Sequence, residues 1–510
     1  MRDLAALGAL LVILGLLWGR ARHTWYWLDE GIALGISSHP ITDIPELLRQ
    51  DSSPPLYYMA LHLWTALFGA SEGQTHLLSL LFALATVPAS LWAGWSLFGR
   101  RTGWVFALLT AVNPFIAAYA NETRMYSLVV LLALLATATF LHAFVHRCRA
   151  HVPIFALCLL LLMYSHNWGL LFGLGMVAAS AVCLALSSER RPLLVDMALA
   201  FGAAALLYAP WVPTLLFQRA HTGLLSSLGP TLASVREDVS RLFGNPEVVA
   251  VLGVVAGWGL FGVVRRPWDR RAVAVLATAT VPVVTIVAGW YASGLGGAWV
   301  FRYLAVIVPP MLLLVAVGLG KEGRAALAAL AVVIFLTAPI GEKGPPHEKS
   351  NLRGIAESVS SRLHTGDFVI SPAGEVPLLA HYLPKGLAFA TPTGAVRDVH
   401  IADWRDITTR LRRSEPGLST PRAIDMVPPG GHLLIVCPSP PETALYQTGF
   451  VRLNRLRCDE VLRVALADIR LRLEMVVTPP PNVKNTPVEG HLFTRQHDGD
   501  DAVVQTEGRP

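Results

Sequence analysis

Over the first two thirds of the chain, hydrophobic residues come in long unbroken blocks, neither alternating as in a half-buried strand nor striped as on a soluble helix. A bilayer core takes about 20 apolar residues per helix. Blocks of that kind fall at 4–19, 76–98, 104–120, 125–145, 152–165, 168–187, 193–217, 248–264, 272–291, 303–319 and 325–340, which predicts about eleven spans. Gly19-Arg20-Ala21-Arg22 after the first block offers no small-residue cleavage site, so that block is expected to remain as an anchor.

The polar turns between blocks orient the chain. With a cytoplasmic N-terminus, alternate turns carry Arg100-Arg101, Arg147 with Arg149, Arg190-Arg191, Arg265-Arg266 with Arg270-Arg271, and Lys321 with Arg324. All fall inside, as the positive-inside rule requires, and an odd number of spans places everything after Pro339 outside. The first outer loop is long. Its stretch 56–69 is too short for a span and follows Pro54-Pro55, which suits a helix start, so an interfacial helix is expected, with Tyr57, Tyr58 and Trp64 at headgroup level.

Beyond the last block the pattern changes. Residues 349–364 and 401–413 read as helices, 367–371 and 432–437 as strands, and 441–449 as a further helix, the alternation of a compact α/β module. Past Pro479-Pro480-Pro481 little remains to bury, and disorder is expected. The expected fold is a polytopic α-helical membrane protein with a C-terminal extracytoplasmic α/β domain: spans in 1–340, the domain in 341–477, a disordered tail in 478–510. Composition agrees: 53% of the 510 residues are hydrophobic and 15% charged, far from the norm of about 25% charged for soluble domains. The net charge of +6 is scattered in short pairs, so it reads as topology and not as a nucleic-acid surface. Cys437 and Cys458 lie in the polar third and can pair if it is outside the cytoplasm; Cys148, Cys158 and Cys183 sit in or beside apolar runs as small buried hydrophobes.

Placed on this topology, the ionisable residues near span ends converge on the outer face: Asp29-Glu30, Glu122 with Arg124, His166 and Arg302. Charges there are costly and face a cavity or a partner. Each also has a structural alternative: a loop pair for Asp29-Glu30, a helix-end ion pair for Glu122 and Arg124, a packing residue for His166, a snorkelling anchor for Arg302.

Trp27-Leu28-Asp29-Glu30, Asp51-Ser52-Ser53-Pro54-Pro55-Leu56-Tyr57-Tyr58, Phe68-Gly69 and Tyr119-Ala120-Asn121-Glu122-Thr123-Arg124-Met125-Tyr126 resemble the fold-C (GT-C) membrane glycosyltransferases, specifically the bacterial protein O-mannosyltransferase and aminoarabinose transferase relatives. Tyr164-Ser165-His166-Asn167 and Phe301-Arg302-Tyr303-Leu304 extend the resemblance over roughly 1–340. His76 departs from it, standing where an arginine often opens the second span. The resemblance implies a multi-pass enzyme of the bacterial plasma membrane that moves a hexose, mannose or similar, from a polyprenyl-phosphate donor to a glycan, lipid or protein acceptor, in contact with membrane lipid. No P-loop or Gly-rich strand-to-helix turn is present, as expected of such a donor. Inverting transfer needs a carboxylate to take the acceptor proton and fixed positive charge on the departing phosphate. Asp29 is the candidate base with Glu30 beside it, and Arg124, Arg302 and His166 are the candidate phosphate ligands. Glu122 is the candidate for a divalent cation, Mg or Mn, or for substrate; Asp51, Tyr57, Tyr126 and Tyr303 complete the outer-loop set. A transporter or a non-catalytic lipid-binding scaffold is the alternative. A transporter places its key polar groups at midplane in broken helices.

Overall fold

The computed structural model describes residues 1–222, 229–265, 269–295, 299–321, 323–337, 348–439, 449–483 and 487–497. They form two compact units. The first comprises residues 1–23, 53–216 and 228–343, and the second 24–52, 217–227 and 344–510. Residues 24–52 thus group with the C-terminal residues.

The first unit is helical. Among the described residues of the whole chain eight helices are long and apolar enough to cross a membrane, all in this unit except for the end of the fifth beyond 216: Arg2–Ala21, Glu72–Phe98, Tyr126–Val145, Trp168–Ala185, Arg190–His221, Pro246–Val264, Arg270–Gly294 and Phe301–Leu319. The other three expected spans are shorter. His151–Ser165 and Arg324–Thr337 are single apolar helices, whereas block 104–120 divides into Arg100–Ala111 and Pro114–Tyr119. The break has a local cause: Pro114 cannot continue the incoming helix, and the Asn113 side chain caps the outgoing one by accepting from Ile116 N–H at 3.1 Å. The expected interfacial helix is Leu56–Phe68. Helices Glu72–Phe98 and Arg100–Ala111 approach so closely that a Cβ on Gly94 would lie 2.8 Å from Gly103 Cα, contact that only glycine permits.

The basic turns gather at one end of this unit. Arg100, Arg101, Arg271 and Lys321 line a single recess, Arg100 pairs with Asp3 at 2.7 Å, and Ser96 Oγ meets His142 Nε2 at 2.9 Å. Arg147 and Arg149 both reach Asp196, at 3.6 and 3.1 Å. Helix Glu72–Phe98 runs from the opposite end, about 40 Å away at 1.5 Å per residue.

The second unit is built on one six-stranded sheet: β1 (Phe368–Ile370), β2 (Ala388–Thr391), β3 (Gly394–Ala395), β4 (His432–Pro438), β5 (Leu471–Val477) and β6 (Val488–Arg495), in the order β3-β2-β1-β4-β6-β5. Strands β2, β1 and β4 are parallel; β3, β6 and β5 add antiparallel edges. Period-two alternation on β4 sends Leu434 and Val436 to one core with Leu352, Ile355 and Leu379, and Leu433, Ile435 and Cys437 to another with Ile424, Val461 and Phe493. Cys437 and Cys458 form a disulfide between β4 and helix Gly449–Ala467. The expected disorder from 478 is corrected here, because β6 pairs on both sides, with β4 and β5, and buries Leu492 and Phe493. The expected helix at 441–449 falls almost wholly outside the described residues, as does the tail beyond 497.

Candidate active site

At the end of the first unit remote from the basic turns, the short helix Pro114–Tyr119 gives way to a turn that opens Tyr126–Phe140. Neighbouring elements fix this turn at several points. Asn121 Nδ2 donates to Trp18 O at 2.8 Å, Thr123 Oγ1 to Thr75 Oγ1 at 2.8 Å, and Ser79 Oγ to Glu122 O at 2.6 Å. Glu122, Thr123 and Arg124 are buried. Arg124 Nη1 donates to Tyr58 Oη at 3.2 Å. Tyr57 and Tyr58 are fully buried, the Tyr57 hydroxyl 3.5 Å from Ser79 Oγ, which corrects the headgroup placement expected for them. Their hydroxyls have partners inside the protein, so the interface loses its advantage. His76, at the departure from the family pattern, donates from Nδ1 to Arg22 O at 2.7 Å and ties the end of the first helix to the second.

Tyr126 is the junction of the site. Its hydroxyl accepts from Arg302 Nε at 2.8 Å, and its ring centroid lies 5.9 Å from His166. On the other side of His166 stands Tyr303, 4.7 Å away and 5.8 Å from Arg302 Cζ. His166 occupies the turn between His151–Ser165 and Trp168–Ala185, where Trp168 N–H donates to its Nδ1 at 3.1 Å. Nδ1 is therefore an acceptor and the proton sits on Nε2. Burial, joined by the charges of Arg124 and Arg302, holds this imidazole well below its ordinary pKa and keeps it neutral. Arg124, His166 and Arg302, far apart in sequence, thus form one group with Tyr58, Tyr126 and Tyr303. Two guanidinium forks, one buried and one partly accessible, and a buried imidazole N–H suit an anion with several oxygens.

Asp29, Glu30 and Asp51 belong to the second unit. Asp29 lies in the first turn of Leu28–Ser37, partly accessible, whereas Glu30 is fully buried. Glu30 Oε2 accepts from Trp27 N–H at 3.3 Å and stands 3.8 Å from Lys349 Nζ. Glu30 therefore stabilises the start of its helix, a carboxylate at N3 reaching back to the cap. This helix lies against Val376–Tyr382 so tightly that a Cβ on Gly31 would meet Leu378 Cβ at 2.7 Å. Asp51 is buried where its chain turns out of the short helical stretch Leu48–Gln50.

Among the described residues, metal-ligand spacing is found at His364, Asp367 and His432, whose ligand atoms lie within 4.8 Å of one another. Glu122 is in no such group, so the cation expectation has no support at that residue. Asp367 already serves the fold: its oxygens accept from His364 N–H at 2.7 Å and His432 N–H at 2.8 Å. Two histidines and a carboxylate are a donor set for a divalent metal ion. The sequence reading names Tyr58 only as an interfacial aromatic and does not name Lys349; they contact Arg124 and Glu30.

No family model matches the chain, and no curated protein matches its sequence. Solved structures do. ArnT from Cupriavidus metallidurans superposes with a TM-score of 0.63 at 12% identity in its apo state, over 96% of this chain and 98% of that one. Its complex with undecaprenyl phosphate gives 0.63 at 14% over the same shares. Arabinofuranosyltransferase AftD from Mycobacteria gives 0.54 at 15%, over 98% of this chain and 42% of that one. These are fold-C glycosyltransferases, and the fold of this chain is theirs.

Proposed function

We propose that the chain is a membrane glycosyltransferase that moves a sugar, a hexose such as mannose, from a polyprenyl-phosphate donor to an acceptor hydroxyl with inversion. The observation that carries this reading is the Arg124–His166–Arg302 group, set at the end of the helical unit opposite the basic turns. A fold shared with a protein crystallised with undecaprenyl phosphate supports it. Arg124 and Arg302 hold the donor phosphate, and His166 donates from Nε2 to a phosphate or sugar oxygen. Asp29 takes the acceptor hydroxyl proton as that oxygen bonds to the anomeric carbon. The bond from that carbon to the phosphate oxygen breaks, and polyprenyl phosphate leaves with its charge balanced by the arginines.

The placement argues against a transporter, since Arg124, His166 and Arg302 stand at helix junctions and not in a helix broken at mid-span. In a bacterial plasma membrane the positive-inside rule sets the basic recess toward the cytoplasm and this group outside. A disulfide in the second unit suits an oxidising compartment. Incubation of the purified protein with radiolabelled polyprenyl-phosphate sugars and a membrane acceptor extract tests the reading. Label should move to acceptor; a protein that neither transfers nor binds polyprenyl phosphate would sink it.

A further inference from the structure

The second unit holds a cavity of about 480 Å³ that the proposed transfer chemistry does not use. Its place follows from the sheet. From β1 the chain passes to β2 on one side and later returns as β4 on the other, so β1 and β4 flank a topological switch point. In open parallel sheets ligands bind in the crevice beyond the carboxyl ends of the strands at such a point. This cavity lies there: Glu375 follows β1, Thr391 and Thr393 end and follow β2, and Ser439 follows β4. Its volume is that of a small-molecule site.

Glu375 is the telling residue. Its side chain borders the cavity while only 6% of the residue is exposed, and among the described residues no side chain pairs with it. Burial pushes its carboxyl up to about 7, its own backbone N–H opposing the rise. A purely apolar occupant would leave a buried carboxyl unmatched, and an anionic one would face repulsion whenever the carboxyl ionises. A polyol meets neither difficulty, because its hydroxyls both donate and accept. The rest of the wall fits one: Thr391 and Thr393 hydroxyls 2.8 Å apart, the Asn454 amide, and an apolar flank from Trp404 and Phe450, whose rings stand edge to face at 5.9 Å. Two arginines border the cavity: Arg455 is matched by Asp459 at 3.8 Å, and Arg452 is exposed, so its charge stays hydrated at the rim.

We propose that this cavity is a saccharide-binding site in which Glu375 exchanges hydrogen bonds with the hydroxyls of a neutral sugar. Leu28, the neighbour of Asp29, forms part of its wall. On the function proposed above, and resting on it, the sugar held here belongs to the acceptor.

The test uses the full chain in detergent, without donor lipid, and saturation-transfer NMR with glucose, galactose, mannose and arabinose as probes. At least one sugar should bind with millimolar affinity. Glu375→Leu should weaken it about tenfold or more, through loss of the carboxyl's hydrogen bonds to the sugar hydroxyls. Asn454→Trp, on the accessible face of helix Gly449–Ala467, should fill the cavity and abolish it. Retained affinity for undecaprenyl phosphate shows that the variants are folded. Absence of binding by all four sugars, or binding that survives both substitutions, overturns the proposal. Sugar binding in a protein that performs no transfer would keep this site and refute the transferase reading. Transfer without any occupancy here would do the reverse.

Discussion

Tyr126→Phe removes one oxygen from the centre of the candidate site and nothing else. The ring keeps its edge-on packing against Tyr119 at 4.9 Å and its place beside His166. What is lost is the acceptor of the Arg302 Nε hydrogen bond at 2.8 Å. A bond to a charged partner contributes about 1.5–3 kcal/mol, and because Arg302 is only partly buried, with water able to replace the hydroxyl, the lower end applies. If the bond aims the guanidinium at the donor phosphate, about 1.5 kcal/mol appears as a tenfold weaker undecaprenyl-phosphate affinity. Titration of purified variant and wild type with undecaprenyl phosphate reads this directly, and a thermal melt separates loss of aim from loss of fold. A folded variant with wild-type affinity would show that Tyr126 does not position Arg302 for the lipid phosphate and would detach Arg302 from the site.

Arg124→Lys and Arg302→Lys should each weaken donor binding, since an ammonium cannot reproduce the planar fork, and the double variant should be non-additive because contacts to one ligand couple; strict additivity of the measured binding energies would separate the two arginines. A reporter inserted at Lys321 should be cytoplasmic and one fused to the C-terminus extracytoplasmic; both on one side would break the topology. Glu375 binds its proton more tightly folded than unfolded, with its pKa raised from 4.5 to about 7, so it contributes stability below about pH 4.5 that is lost as the pH rises to about 7. Glu375→Gln should flatten that part of the melting-temperature profile, and an unchanged slope would place the titration elsewhere.

The helical unit was legible because span length is a physical constant of the bilayer and arginine pairs mark the turns between spans. Hydropathy alone did not reveal the break inside 104–120, although Asn113-Pro114 is a helix-start signal. Tyr57 and Tyr58 were misplaced because an aromatic between two polar environments goes where its hydroxyl is matched, and their partners Ser79 and Arg124 are distant in sequence. Glu30 could have been read as a helix-cap residue from its place three after Trp27. In the second unit β1 and β4 stand out as apolar runs, while β6 hides behind the prolines at 479–481 and is made a strand only by its partners β4 and β5. Topology and family pattern single out Arg124, His166 and Arg302 in the sequence, whereas their contacts with Tyr58, Tyr126 and Tyr303 have no sequence signal, since ring contacts carry no sequence period. The cavity beside Glu375 had no signature, because three strand ends meet there only after the sheet has assembled.

Sugar transfer by Asp29→Asn tests the central claim most directly. Asn keeps the shape of the side chain and removes the base, and general-base loss typically costs about 10²–10⁴ in rate. With a radiolabelled polyprenyl-phosphate sugar and native membrane acceptor, the account predicts transfer by wild type and a loss of that order in the variant, with undecaprenyl-phosphate affinity unchanged. Near-wild-type turnover by a folded Asp29→Asn protein would contradict it.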